Sequence, residues 1–136
     1  MEFAEGIDVV NQIKVLLVDD NQTFLQVLKE YFLRSPAFPV VGVAESGDSA
    51  IRQVQELQPD LVFMDIAMHG INGLEATREI KRLSNPPRVI MLTVFDDAEY
   101  RRASAAAGAD GFISKAEVAK EIPITLEKLF GIVTPT

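Results

Sequence analysis

Cysteine and tryptophan are absent from the 136 residues, histidine occurs once, and aromatic residues make up only 7%. Without cysteine there are no disulfides, no iron–sulfur clusters, no thiolate zinc sites and no thiol nucleophile. Metal chemistry is left to oxygen ligands and one imidazole. No apolar run approaches the ~18 residues of a membrane span, and the opening segment carries Glu2, Glu5 and Asp8 where a secretory leader carries positive charge. The expectation is a cytoplasmic protein without membrane contact. Positive charge is scarce too: 13 Lys and Arg stand against 20 Asp and Glu, a net charge of -7. Such a surface repels phosphate backbones and disfavours direct binding of nucleic acid.

What is present suits a folded chain with a single core. Hydrophobic residues reach 48% and charged residues 24%, far from the composition of disordered segments, and the length fits one domain. Short apolar runs occur at Ile13 to Val18, Val40 to Val43, Leu61 to Met64, Val89 to Leu92 and, more weakly, Phe112 to Ile113. The first, third and fourth lack polar alternation and contain β-branched residues, as do strands buried on both faces of a parallel sheet. Between the runs lie helical stripes such as Phe24, Leu25, Leu28 and Phe32, then Ala50, Ile51, Val54 and Leu57. A third helix is predicted from about Leu74 to Leu83, before the breakers Asn85, Pro86 and Pro87. Asp20 or Asn21 can cap the first helix and Asp96 or Asp97 the fourth; Pro59 and Gly108 supply stops. Pro123 is placed to open a last helix reaching Phe130, with Gly131 as its end; residues 116 to 122 have no assigned element.

Strands starting near residues 13, 39, 61, 88 and 110 leave room for one helix between each pair, the spacing of right-handed βα units. The fold class is α/β: a doubly wound five-stranded parallel sheet, order 2-1-3-4-5, of the flavodoxin-like kind. In that fold ligands sit beyond the carboxyl ends of the strands. Here the first strand ends in Asp19 and Asp20, the third in Asp65, the fourth in Thr93 and the fifth in Lys115.

With strands one and three adjacent, three carboxylates share one crevice. Two unit charges 4 Å apart repel by about 4 kcal/mol at an effective dielectric near 20, so the cluster calls for a cation or a retained proton. Magnesium suits it best, since it uses few carboxylates, keeps waters and accepts phosphate oxygens. Asp65 is then free to act as a nucleophile and form an acyl phosphate, with Thr93 and Lys115 supplying a hydroxyl and a positive charge to phosphoryl oxygens. Taken singly these residues have ordinary readings: Asp19 or Asp20 a helix cap, Thr93 a strand residue, Lys115 a solvated one. Their convergence at four strand ends carries the assignment. His69, without partners, reads as a solvent-facing loop residue, and Met64, Met68 and Met91 as core or near-core filler.

At these residues the chain resembles the receiver domain of two-component response regulators. Three segments carry the likeness: KVLLVDDNQTFLQVLKEYF, DLVFMDIAMHGINGLEATREIK and VIMLTVFDDAEYRRASAAAGADGFISK. The resemblance implies a receiver domain over residues 13–131, an irregular lead at 1–12 and a short tail at 132–136 without an output domain. It implies Asp65 as phosphoacceptor and Mg2+ held by Asp19, Asp20, Asp65 and the backbone carbonyl of Ala67. It also implies Thr93 as switch hydroxyl, Lys115 as the phosphate-contacting lysine and Phe112 as an aromatic that swings between buried and exposed positions. The implied donor is a histidine kinase or histidine phosphotransfer protein. The implied output surface, for a second copy or an effector protein, is the face of the fourth helix, fifth strand and fifth helix.

Ala67 and Phe95 fall where relatives carry residues flanking the path of hydrolytic water. Two positions depart from the pattern: His69 and Ala116 stand where proline is usual. A cis bond costs about 2.5 to 4 kcal/mol before a residue other than proline, so the Lys115–Ala116 peptide is left open between cis and trans. Extra residues before Pro123 imply a displaced last helix.

Other function classes fit less well. Phosphohydrolases with an aspartate nucleophile carry a second acid two residues on, whereas Asp65 is followed by Ile66 and Ala67. A nucleotide or flavin carrier would need a Gly-x-Gly-x-x-Gly or P-loop pattern, and neither occurs. A binding module whose site is intact but unused stays open. In the favoured reading the chain is a phosphorylation-driven switch that catalyses only its own modification, not a turnover enzyme.

Overall fold

The computed structural model describes residues 12–132. The expected lead and tail lie outside those residues, except Gln12 and Ile132. Five strands, β1 (Val15–Val18), β2 (Val40–Ala44), β3 (Leu61–Asp65), β4 (Arg88–Thr93) and β5 (Gly111–Ser114), form one parallel sheet in the order β2-β1-β3-β4-β5. Helices α1 (Gln22–Leu33), α2 (Gly47–Leu57), α3 (Gly73–Lys81), α4 (Ala98–Ala106) and α5 (Val118–Phe130) connect or follow them. None is long and apolar enough to cross a membrane.

The unbroken apolar runs have a direct cause, because β1 and β3 are buried at every position and successive side chains point to opposite faces. Val15, Leu17, Leu61, Phe63, Ile90 and Leu92 join Leu25, Leu28 and Phe32 of α1 and Ile122 and Leu126 of α5 in one core. Leu16, Val18, Val62, Met64, Val89 and Met91 join Ala50 and Val54 of α2 and Ala76 and Ile80 of α3 in the other. Met64 and Met91 are thus core residues, and Met91 Sδ accepts the buried Thr77 hydroxyl at 3.3 Å.

Helix starts follow side-chain chemistry. Asn21, Ser46, Asn72 and Asp97 each accept an N–H from the first turn of the helix they open, which satisfies one of its orphan donors. Asn21, not Asp20, caps α1, so both aspartates before it are left for other partners. The last helix departs from expectation. A 3-10 turn covers Lys115–Glu117 and α5 starts at Val118, with Pro123 inside it. Proline cannot give its missing N–H to the carbonyl four residues back, a cost of about 3 kcal/mol in a helix interior. What offsets the loss is the stripe Val118, Ile122, Leu126, Leu129, whose members pack against the α1-side core. The last helix is therefore not displaced towards Pro123. The Lys115–Ala116 peptide is trans.

A parallel sheet sends all its carboxyl ends to one edge. Asp19, Asp65, Thr93 and Lys115 stand there because each follows or ends a strand. The close join of β3 to α3 depends on Gly73: a Cβ at this position would collide with the carbonyl oxygen of Asp65.

Candidate functional site

Asp65 ends β3 and Asp19 follows β1, its neighbour in the sheet, while Asp20 continues into the turn before α1. Carboxylate oxygens of Asp19, Asp20 and Asp65 all lie within 4.8 Å of one another. Asp19 is fully buried, Asp65 is 5% exposed and Asp20 lies at the opening. Lys115 comes in from the end of β5, its Nζ 2.6 Å from Asp19 Oδ2 and 3.5 Å from Asp65 Oδ1. Asp19 is held from its other side by the Asn21 N–H, which donates to Oδ1 at 2.9 Å. The same asparagine caps α1 through its side chain, so the helix start and the buried carboxylate fix each other.

Charge does not balance among these four side chains, since three carboxylates face one ammonium. Burial and the adjacent Asp19 carboxylate push the Asp65 carboxyl up to about 7, against the pull of Lys115. Asp19 Oδ2 takes no hydrogen bond of good geometry and is served only by the charge of Lys115. An all-oxygen donor set with excess negative charge and an oxygen lacking a directed donor suits a hard divalent cation, and magnesium among these keeps open positions for a further oxygen ligand.

The other sequence-marked residues surround this cluster. Thr93 ends β4, buried, one residue beyond the Asp65–Leu92 pairing and opposite Ser114 of β5. Its hydroxyl oxygen accepts the Phe95 N–H at 3.0 Å, which ties the start of the β4–α4 loop to the strand end. Ala67 is exposed in the β3–α3 loop. Phe95 is 53% exposed and stacks on Tyr100 of α4 with ring centroids 6.1 Å apart. Phe112 is half-buried on β5, and its ring is covered by the guanidinium of Arg101, 4.6 Å from the centroid. Arg101 is itself held by both carboxylate oxygens of Asp96, at 2.7 and 3.2 Å.

Sequence reasoning missed three neighbours. His69 is fully exposed as expected, yet its Nδ1 lies 3.1 Å from Asp20 Oδ2, so it borders the acidic cluster. The Arg101 cover on Phe112 went unnoticed; arginine following the Asp96-Asp97 pair was its only sequence signal. Phe24, read from its spacing as a core residue of α1, does pack at the edge of the core but also presents its ring to Lys115 Nζ, 4.5 Å from the centroid. No periodicity pairs the first turn of one helix with the residue after the last strand.

Comparison with known proteins bears on the family and the fold. A family model described as the response regulator receiver domain matches residues 15–127. The response regulator protein VraR of Staphylococcus aureus is 40% identical over 117 residues, covering 85% of this chain and 56% of that protein. The transcriptional regulatory protein DegU of Brevibacillus brevis is 34% identical over 105 residues, covering 77% and 44%. The chain thus spans about half the length of these curated relatives. Among solved structures, the response regulator domain of Thermotoga maritima CheB superposes with a TM-score of 0.80 at 32% identity, covering 89% of this chain and 98% of that one. A two-component response regulator of the LuxR family from Aurantimonas sp. SI85-9A1 superposes with a TM-score of 0.82 at 26% identity, covering 92% and 89%.

Proposed function

This chain belongs to the response regulator receiver domain family, and from that premise we propose that it is a phosphorylation-driven switch whose acceptor is Asp65. The observation that carries the reading is the setting of Asp65: a buried carboxylate at a strand end, 3.5 Å from the one lysine of the cluster and beside two further acids. A carboxylate oxygen of Asp65 attacks the phosphorus of a phosphohistidine on a histidine kinase or histidine phosphotransfer protein. The new P–O bond forms as the P–N bond breaks, the electron pair leaves with the imidazole, and Asp65 becomes an acyl phosphate.

Lys115 neutralises one phosphoryl oxygen and the Thr93 hydroxyl donates to another. Asp19, Asp20, Asp65 and the Ala67 carbonyl would hold Mg2+, which supplies positive charge to the phosphoryl oxygens when bound. Recruitment of the Thr93 hydroxyl draws on the residue that also accepts the Phe95 amide. The shift reaches the α4–β5 side, where Phe112 changes position and alters the surface of α4, β5 and α5 offered to a second copy or an effector. The chain modifies only itself and turns over no separate substrate. A cytoplasmic location fits a partner of this class, and the net charge of -7 supports a chain that does not itself grip DNA; salt-sensitive nanomolar binding to a duplex would overturn that part.

Incubation with acetyl phosphate and magnesium should add one phosphoryl group by intact mass, and Asp65→Asn should abolish the rapid, magnesium-dependent gain. Equal labelling of the mutant would refute the assignment.

A further inference from the structure

Lys115 Nζ has three neighbours that answer its charge: Asp19 at 2.6 Å, Asp65 at 3.5 Å and the face of the Phe24 ring at 4.5 Å. We propose that Phe24 is a positioning residue for Lys115, its ring face holding the ammonium at the mouth of the acidic cluster while the lysine passes from Asp19 to a phosphoryl oxygen. The inference rests on the reading of Asp65 as phosphoacceptor and adds to it a residue from outside the acidic set.

Lysine carries a compact charge on a flexible stem, and such a group stays in one place only if several contacts hold it. Two of the present contacts are carboxylates, and the shorter is to Asp19. Left to these alone, the ammonium is drawn towards Asp19 and away from the oxygen at which phosphoryl charge arrives. An aromatic face attracts a cation through its quadrupole, brings no net charge and tolerates lateral displacement of the cation. The attraction is stronger where water is excluded, and the Lys115 side chain is only 13% exposed.

The ring is also fixed in register with the site. The Phe24 N–H donates to Asn21 Oδ1 at 2.9 Å, and the Asn21 N–H donates to Asp19 Oδ1 at 2.9 Å. Phe24 is therefore tied through one intermediate residue to the carboxylate that Lys115 must leave. An aliphatic side chain there would fill the same edge of the core without the field.

The test separates field from volume. Pentafluorophenylalanine at position 24 keeps the ring but reverses its quadrupole, Phe24→Leu removes the ring, and Phe24→Tyr keeps the attractive face. In the resting full chain, 15N relaxation of Lys115 Nζ should show an ordered ammonium in wild type and in Phe24→Tyr, and a more mobile one in the other two. With acetyl phosphate and magnesium, the pentafluoro and leucine variants should gain phosphoryl roughly five- to tenfold more slowly, the loss expected of a partly desolvated cation–π contact, and Phe24→Tyr should restore the rate. A pentafluoro variant with wild-type lysine order and wild-type rate overturns the role of Phe24. Failure of wild type to take phosphoryl at all would instead refute the acceptor reading, and the lysine-order measurement would still decide for or against Phe24.

Discussion

Two charged clusters centred on carboxylates occupy opposite ends of the same sheet, and they are built in opposite ways. At the amino end Asp110 precedes β5 and is fully served: Lys81 Nζ lies 2.9 Å from its Oδ2, the Val89 N–H donates to the same oxygen at 2.8 Å, and Arg88 approaches Oδ1 at 3.9 Å. Lys81 is completed in turn by the Pro87 carbonyl at 2.9 Å. One carboxylate has two cations and a backbone donor, which joins α3, β4 and β5. At the carboxyl end three carboxylates crowd together, Lys115 reaching Asp19 and Asp65 while Asp20 meets the exposed His69 ring. Satisfied polar groups stabilise a fold, and under-served ones raise its energy until something binds. The first cluster is built as a joint, and the second has the make-up we propose for a site.

The clearest contrast should come from neutralising one acid at each end, because the two substitutions differ in sign. Asp110→Asn weakens the hold on Lys81 and Val89 and should destabilise by about 2 kcal/mol in urea unfolding, the cost of leaving partly buried donors poorly matched. Asp65→Asn in metal-free buffer at pH 8 should stabilise, because it removes a buried charge opposed by Asp19. Loss of stability on both substitutions would erase the distinction between joint and site.

Magnesium should act at one end only. Ligands that bind the native state stabilise it by mass action, about 2.7 kcal/mol at a concentration one hundred times Kd. The melting temperature of wild type should rise with millimolar magnesium, Asp20→Ala should remove most of the gain, and Asp110→Asn should keep it. No metal-dependent rise in wild type would count against the cation site.

Only the carboxyl-end half of this contrast was legible in the sequence, for a topological reason; the ties among Lys81, Arg88 and Asp110 were not. Buried parallel strands are unbroken apolar runs, so their ends are easy to see, and the residues at those ends must meet at one edge. Asp19, Asp20, Asp65, Thr93 and Lys115 could thus be assembled without coordinates. Helix α5 could not, because Pro123 reads locally as a helix opener. Only the packing of Val118 and Ile122 under the sheet shows why the helix starts earlier. Phe24, Arg101 and His69 were missed because each acts across elements, by contacts that no spacing rule relates.

pH offers a finer test. The Asp65 carboxyl is raised from an ordinary value of 3.8 to about 7 in the fold. The native state therefore holds a proton that the unfolded state releases. The contribution of this group to stability is complete below pH 3.8, and it is lost as pH rises through 7. Wild type measured against Asp65→Asn without metal should lose stability over this window, at up to about 1.4 kcal/mol per pH unit. Subtracting the mutant cancels the carboxylates that do not touch Asp65 and leaves the Asp65–Asp19 pair. A flat difference between the two proteins would place Asp65 among ordinary exposed acids.

The smallest effect concerns the lifetime of the acyl phosphate proposed at Asp65. Ala67 has no side-chain donor or acceptor, and the Phe95 ring lies against Tyr100, so neither residue can orient an attacking water by hydrogen bonds. The Phe95 amide is bonded to the Thr93 hydroxyl oxygen, which keeps its backbone at the strand end whatever side chain it carries. A polar group at position 95 would therefore start from the same anchor. Slow self-dephosphorylation is expected for wild type. Ala67→Asn combined with Phe95→Glu should shorten the half-life of purified phosphoprotein several-fold, equivalent to about 1 kcal/mol in the barrier. The same pair should lower stability in urea unfolding by no more than the Phe95–Tyr100 stacking contributes, about 1 kcal/mol, since both positions are exposed. An unchanged decay would show that water reaches the acyl phosphate by a route these two positions do not control.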